Sequence, residues 1–553
     1  MKKKMSQSNL LYYLFLVFFL FSAYSCMEKP QDRELFGEHI KSNIQALSSD
    51  EFEGRGPATP GGQKTVEYIE SKFKKIGLKP AANGSYRQPV PLLEITGSEF
   101  SDLEISSNGN ILHAFEYGED MMINSNLREK EITIEGSELV FAGYGIVAPE
   151  YNWNDYEDID VEGKTVVVLV NDPGFATRDE ELFTGNAMTY YGRWTYKYEE
   201  AARQGAEAVL IVHQDEPAGY GWDVVRNSWS GVQYRAADGD DDYLKAEGWI
   251  HLDAAKDLFA DAGTTLEKAM DKAKQPGFKA ESLNLSASAS FNNSFEQLES
   301  FNVAGYIEGS EHPEETVIYM AHWDHLGKDK KDGEEIIYNG AIDNATGVAG
   351  LIAIGERFAG LEEPPERSVV FLAVTAEESG LIGSQHYAEN PLFPIAKTVA
   401  AVNMDALNVY GTTRDVEVVG YSFSELDDYL KKHAEKQNRE VVPNDNPEVG
   451  SYYRSDHFNL ARKGVPAIYA SGGEEYIGQD EAYAEKVRQD SRSRYHQPSD
   501  TIHDLWRYDG IYQDLRLFFT IGNELANSDD FPGWTQDNEF KNIREQTADK
   551  RQR

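Results

Sequence analysis

Three apolar runs constrain this chain more than any other feature: ETVIYMAHWDH (315–325), RSVVFLAVTAEE (367–378) and KTVAAVNMDALN (397–408). Each is nearly continuous in apolar residues rather than alternating, the pattern of strands buried on both faces. Between the first two lies NATGVAGLIAIGERFAG (344–360), with Val348, Leu351, Ile352 and Phe358 at near-helical spacing. Strands alternating with helices predict an α/β fold, with a mostly parallel (mixed) sheet sandwiched by helices.

Every one of these runs ends in the same chemical vocabulary. His322 and Asp324 close the first, Glu377 and Glu378 the second, and Asp405 the third. Open α/β sheets bind ligands at the carboxyl ends of their strands. Asp343, in YNGAIDNATG ahead of a helix, and His496, in RYHQPSD, can join the same edge. Taken singly, each has an ordinary explanation: a helix cap, a packed histidine, a solvated acid. Three buried-type strands delivering acids to one edge do not. Converging carboxylates repel and need counter-charge, and the neighbouring Lys and Arg residues do not obviously supply it. Two divalent zinc ions would, because histidine and carboxylate ligands suit zinc and a metal pair can clamp an attacking water. Neighbouring residues on a strand face opposite ways, so Glu377 and Glu378 are expected to have different tasks.

At 553 residues the chain should hold more than one core. Its formal charge of −41 argues against nucleic acid or an anionic membrane surface as partner. Residues 1–26 read as an export signal: Lys2, Lys3 and Lys4 precede the apolar run LLYYLFLVFFLF (10–21), which is short for a membrane span. The chain's single cysteine, Cys26, follows directly. That placement resembles a bacterial lipoprotein cleavage site, although Ala23 and Tyr24 make a loose match. The expectation is an exported protein held to a bacterial envelope membrane only through lipid on Cys26. Residues 27–96 and 296–530 then form the main α/β domain, 97–295 a β-rich insertion, and 531–553 a polar, frayed tail. Within 49–77 a Gly/Pro loop leads into a helix with Val66, Ile69, Phe73 and Ile76 on one stripe. No GK[ST] follows those glycines, so they read as turns and not as a phosphate loop. His213, after an apolar run, reads as a packing residue.

AHWDHLG, GAIDNATGVAG, TAEESGLIGS, NMDALN, SDHFNLARKGVPAI and YHQPSDT occur in that order. Together they resemble the di-zinc metallopeptidase family that includes bacterial aminopeptidases and glutamate carboxypeptidase, whose fold is of the phosphorylase/hydrolase-like type. Residues 138–214 are similar to the protease-associated (PA) domain often inserted in such enzymes. The resemblance implies two Zn²⁺ per chain and peptide substrates. It makes Asp343 the bridging ligand, with His322 and Asp405 completing one zinc site and Glu378 and His496 the other. Glu377 falls on the general base, Asp324 on the acid that orients His322, and Tyr495 on a tyrosine that helps hold the oxyanion. Arg454, Asp456 and His457 match a segment that lines the substrate pocket in some members and is structural in others. His325 is expected to serve packing or pocket shape. The implied reaction is aminopeptidase hydrolysis. Carboxypeptidase, dipeptidase and glutaminyl cyclase chemistry are alternatives on the same scaffold, and a non-catalytic receptor-like protein is a further one.

Overall fold

The computed structural model describes residues 30–179, 182–237, 244–331, 334–535 and 538–551. The export segment and Cys26 lie outside the described residues. Among those described, no helix is long and apolar enough to cross a membrane.

The sheet that positions the site is built from β1 (Glu281–Ile307), β2 (His312–His322), β3 (Arg367–Val374), β4 (Thr398–Asn403), β5 (Asp415–Val418), β6 (Glu440–Pro443) and β7 (Ala467–Gly472). In space they run β1-β3-β2-β4-β7-β5-β6. The central β3, β2, β4 and β7 are mutually parallel, β1 is antiparallel to β3, and β5 is antiparallel to β7 and parallel to β6. Every residue of β3 and β4 is buried. The faces alternate as the pleat requires. Val317, Tyr319, Val369 and Phe371 pack with α1 (Pro60–Ile76), α2 (Thr346–Ala359) and Asp509–Ala526 on one side. Ile318, Met320, Val370 and Leu372 pack with Tyr387 and Leu460 on the other.

The α1 stripe is as expected, with Val66, Ile69 and Phe73 buried; Thr59 caps the helix by accepting from Gly62 N–H, and Gly77 closes it in the left-handed region. The strands, however, stop short of the residues that carry chemistry. β3 ends at Val374, three residues before Glu377, and β4 ends at Asn403, two before Asp405. The chain leaves each ladder through a residue with positive φ close to the acid, Ala376 (52°) and Ala406 (58°). The glutamate doublet therefore diverges on a turn, not on a pleat.

Residues 103–291 surround apolar clusters of their own, which include Ile105, Phe141, Val167, Leu210 and Phe259 on one face and Val166, Val168, Ile211 and Trp249 on the other. Thr165–Leu169, Ala208–Val212 and Ala246–Ile250 pair in parallel, so this insertion is itself α/β in texture. The boundary expected at 295–296 falls inside β1, which pairs with Arg87–Ser98 over residues 292–303 and continues into the main sheet. The cores are separate while the hydrogen-bond ladder runs on between them.

The tail is packed, not frayed. Trp534 and Phe540 are buried against Tyr452, Tyr453 and Phe458, and Arg544 donates to the carbonyls of Thr398, Val399 and Pro532. A polar sequence with two well-spaced aromatic anchors hides this behaviour.

Candidate metal centre

Asp343 is the hub. It lies in a tight turn (Ala341–Ala345) before α2, with non-helical backbone angles at Asp343 and Asn344 and a cis Asp343–Asn344 peptide. Asn344 ties this turn to the β4 loop: its Nδ2 donates to Met404 O, and its Oδ1 accepts from Gly347 and Ala406 N–H. The two oxygens of Asp343 are divided between two histidines. Oδ1 lies 3.2 Å from His322 Nε2 and Oδ2 lies 3.3 Å from His496 Nε2. His322 also reaches Asp405 Oδ1 at 3.2 Å, and His496 reaches Glu378 Oε2 at 3.0 Å. Candidate ligand atoms of His322, Asp343 and Glu378 lie within 4.8 Å of one another, as do those of His322, Glu377 and Asp405. All five ligands expected from the sequence are thus brought together, with Glu377 beside them.

The cluster rests on polar groups fetched from distant segments. Asp405 Oδ2 accepts from Ser455 Oγ at 2.6 Å, and Asn403 Nδ2 donates to that serine. Asp500 accepts from the N–H groups of Ile342 and Asp343. The buried Asp324 accepts from the N–H groups of Glu377 and Glu378 at 3.1 and 3.4 Å. What faces His322 Nδ1 is the backbone carbonyl of Asp324, at 3.3 Å. The Asp324 carboxylate therefore holds the glutamate turn by hydrogen bonds and acts on the His322 ring through charge, the ring's Nδ1 facing the backbone carbonyl instead.

One counter-charge was missed in the sequence. Arg55, from the Gly/Pro loop, is fully enclosed and donates to the carbonyls of Leu47, Trp323, Asn339 and Gly340. Burial pushes its guanidinium down to about 10, against the pull of Asp500, Asp343, Asp324 and Glu378. Its signal in the sequence is a lone arginine between two glycines, which alone says nothing.

The electrostatics match a centre built to hold cations. Burial works against a charge on His322, yet Glu377, Asp405 and Asp343 outweigh it and hold the ring well above its ordinary pKa. His496 is raised in the same way, burial being overcome by Glu378 and Asp343. Burial would raise Glu378, but His496 and His325 bring it down to about 2. Glu377 moves oppositely: burial, with the carboxylates of Glu378, Asp405 and Asp456 around it, lifts it well above the usual range. In the metal-free chain, protons on the histidines occupy the place of metal charge. The donor set of two histidines and three carboxylates fits zinc.

A pH dependence follows. A histidine raised in the folded chain adds stability that is complete below about pH 6.5 and lost as pH rises through the raised value. Metal must displace those protons. Zinc is expected to raise the thermal midpoint little at about pH 5.5 and progressively more toward about pH 8. A shift of constant size across that range, measured by scanning calorimetry, would contradict this picture.

The rim differs from the interior. Tyr495 is 55% exposed and stacks on His496 with ring centroids 3.9 Å apart. Of the segment matched to a pocket, only Arg454 reaches the surface, its guanidinium 5.7 Å from the Tyr220 ring centre. His457 is buried between Tyr452 and Tyr469, and burial pushes it down to about 3. Asp456 is also buried, and burial together with Asp324 and Asp405 lifts it to about 7. These two residues support the site from beneath and do not line a pocket. His213 packs as expected, its Nε2 3.1 Å from Tyr220 O.

Arg193 is a second residue that sequence reasoning missed. It comes from the insertion, which docks here through Met188 N–H to Pro447 O and Asn171 Nδ2 to Glu448 O. Burial, reinforced by the neighbouring Arg454 cation, pushes Arg193 down to about 10. The other groups acting on it include the phenols of Tyr220, Tyr190 and Tyr495.

Comparison with known proteins agrees with this geometry. Residues 302–511 match Peptidase family M28. Aminopeptidase NAALADL1 of Mus musculus is 35% identical over 121 residues, 21% of this chain and 15% of the relative. A probable zinc metalloprotease of Pyrenophora teres f. teres (strain 0-1) is 30% identical over 107 residues, 19% of this chain and 22% of the relative. The chain thus spans less than a quarter of the length of these curated relatives. The solved aminopeptidase from Aneurinibacillus sp. strain AM-1 superposes with a TM-score of 0.52 at 19% identity, covering 92% of this chain and 99% of that one, a likeness of fold.

Proposed function

We propose that the protein is a zinc-dependent aminopeptidase with a dinuclear centre. The observation that carries this reading is the division of the two Asp343 oxygens between His322 and His496. His322, Asp343 and Asp405 would hold one ion, and Asp343, Glu378 and His496 the other. Bound there, the zinc pair supplies an acidified water and a Lewis acid for the scissile carbonyl.

Glu377 is the proton carrier. It lies beside the position formed by His322 and Asp405, and its carboxyl, raised well above the usual range by burial and its acidic neighbours, suits taking a proton from water and returning it to the leaving amine. Tyr495, held against His496, offers its hydroxyl at the rim to the developing oxyanion. A protonated substrate amine finds acid on every side in Glu377, Asp405 and Asp343, which favours removal of N-terminal residues. The relatives' names, an aminopeptidase and a zinc metalloprotease, support the same reading.

The test uses matched aminoacyl anilides with free and acetylated amines on the zinc-loaded chain. Cleavage confined to the free amine is expected, and equal cleavage of both would overturn exopeptidase action at the amine end. Release of ammonia from N-terminal glutamine would favour the cyclase instead. Absence of turnover on the whole panel would favour a binding protein.

One observation favours a second reading, the cleavage of dipeptides or of C-terminal residues. Arg454, which reaches the surface, has the buried Arg193 cation as a neighbour in an acidic protein, and such a pair suits a substrate carboxylate. Loss of one charge-assisted contact is worth about 1.5–3 kcal/mol, roughly a tenfold to hundredfold change. Arg193→Ala is therefore expected to raise KM by about that factor for a dipeptide and to leave its C-terminal amide unchanged. An equal effect on both substrates would remove the carboxylate from consideration.

A further inference from the structure

His325, the second histidine of HWDH, belongs to no ligand set, yet it makes one of the two shortest contacts described in the centre. Its Nδ1 lies 2.6 Å from Oε1 of Glu378. The other oxygen of that glutamate, Oε2, is the one that faces His496 at 3.0 Å. The two carboxylate oxygens are therefore already assigned, one to a ring that stays behind the centre and one to the position between Glu378, Asp343 and His496.

The His325 ring has little freedom to do anything else. It is about 1% exposed. The backbone N–H of His325 donates to Arg55 O, and the Arg55 guanidinium in turn donates to Gly340 O. Gly340 sits against the ring face: a Cβ there would come within 2.6 Å of His325 Cγ and Cδ2, and the backbone is in the left-handed region at φ 52°. Gly340 is required by its left-handed backbone and by the Asp343 carbonyl, 2.2 Å from where a Cβ would stand, and the ring packs into the space this leaves. The Nε2 atom has no hydrogen-bond partner among the described residues and joins neither triplet of clustered ligand atoms. The ring thus acts through Nδ1.

We propose that His325 is a positioning residue for the metal held by Glu378 and His496: it reserves Oε1 of Glu378 and leaves Oε2 as the ligand oxygen. Glu378 is then fixed at both ends, its N–H by Asp324 and its Oε1 by His325. This rests on the two-metal reading above. Groups standing behind ligands typically contribute about 10- to 100-fold in metal affinity. The effect here is expected at one metal position, because the contact of His325 is with Glu378 and not with His322 or Asp405.

The experiment is a Zn²⁺ titration of the chelator-stripped full-length chain by calorimetry, with bound zinc counted by elemental analysis. His325→Ala is expected to weaken one of two binding steps by about 10- to 100-fold and leave the other unchanged. His325→Asn, whose Nδ2 can stand where Nδ1 stood, is expected to recover most of that loss. Three results would overturn the proposal: both steps weakened equally, neither step weakened, or asparagine as damaging as alanine. The last would also result if the ring itself bound metal. If the Ala variant does not fold, the Asn variant decides alone: two steps close to wild type support the proposal, and loss of one step refutes it. A wild-type chain that binds fewer than two zinc ions would sink the two-metal reading and this proposal with it. Two ions on wild type with unaltered variants would sink only the proposal.

Discussion

Glu377→Gln is expected to keep its full complement of zinc and lose about 10²- to 10⁴-fold in kcat, the usual contribution of a positioned acid–base group. The amide is nearly isosteric and can remain beside His322 and Asp405, but it cannot take a proton from water. Glu378, one residue on, faces the opposite demand. In the metal-free chain His496 and His325 hold its pKa down to about 2 against burial, the mark of a carboxylate suited to a ligand's part and not to carrying protons. Glu378→Gln should therefore lose metal first and activity as a consequence. Elemental analysis set beside single-turnover rates separates the two variants. If both kept their zinc and lost activity alike, the division of labour in the doublet would be wrong.

Asp343→Asn is expected to have the larger structural reach. One oxygen would remain a possible ligand while the other becomes an amide nitrogen, which cannot bridge. The variant should bind at most one zinc tightly, with affinity at the second position down by more than about 100-fold, since a ligand matters more than the groups behind it. Activity should fall with it. The thermal midpoint of the metal-free variant reports a further consequence: Asp343 is one of the acids that holds protons on His322 and His496. Without that charge both rings should titrate closer to their ordinary range, and proton release on zinc binding should shrink. An Asp343→Asn chain that retained two tightly bound ions and wild-type turnover would refute the bridging role.

The sequence made the main fold and the polar residues at its strand ends legible for one physical reason, while the full ligand set, with Asp343 and His496, rested on the family resemblance. Strands buried on both faces cannot hide polar residues along their length, so the polar residues that follow them stand out: His322, the Glu377–Glu378 pair and Asp405. The same logic failed where strands end. The pleat argument separated the two glutamates for the wrong reason, since Ala376 turns the chain out of β3 before either is reached. The residues missed have partners far away in sequence. Arg55 donates to carbonyls 268 and 285 positions on, and Asp500 accepts from N–H groups about 157 positions back. Such backbone partners have no side-chain signature. Arg193 was invisible because its significance lies in meeting Arg454 across the junction of two cores. The motif left His457 and Asp456 open between lining a pocket and supporting the structure, and packing against Tyr452 and Tyr469 and the carboxylates beneath the centre places them inside.

The account stands on a dinuclear centre organised by Asp343. Its most direct test is a stepwise zinc titration of the chelator-stripped chain, with hydrolysis of a free-amine aminoacyl anilide read at each step. Turnover should rise to its plateau only as bound zinc approaches two per chain, and Glu377→Gln should bind the same two ions without turnover. Full activity at one bound ion, or activity that survives complete removal of metal, would contradict it.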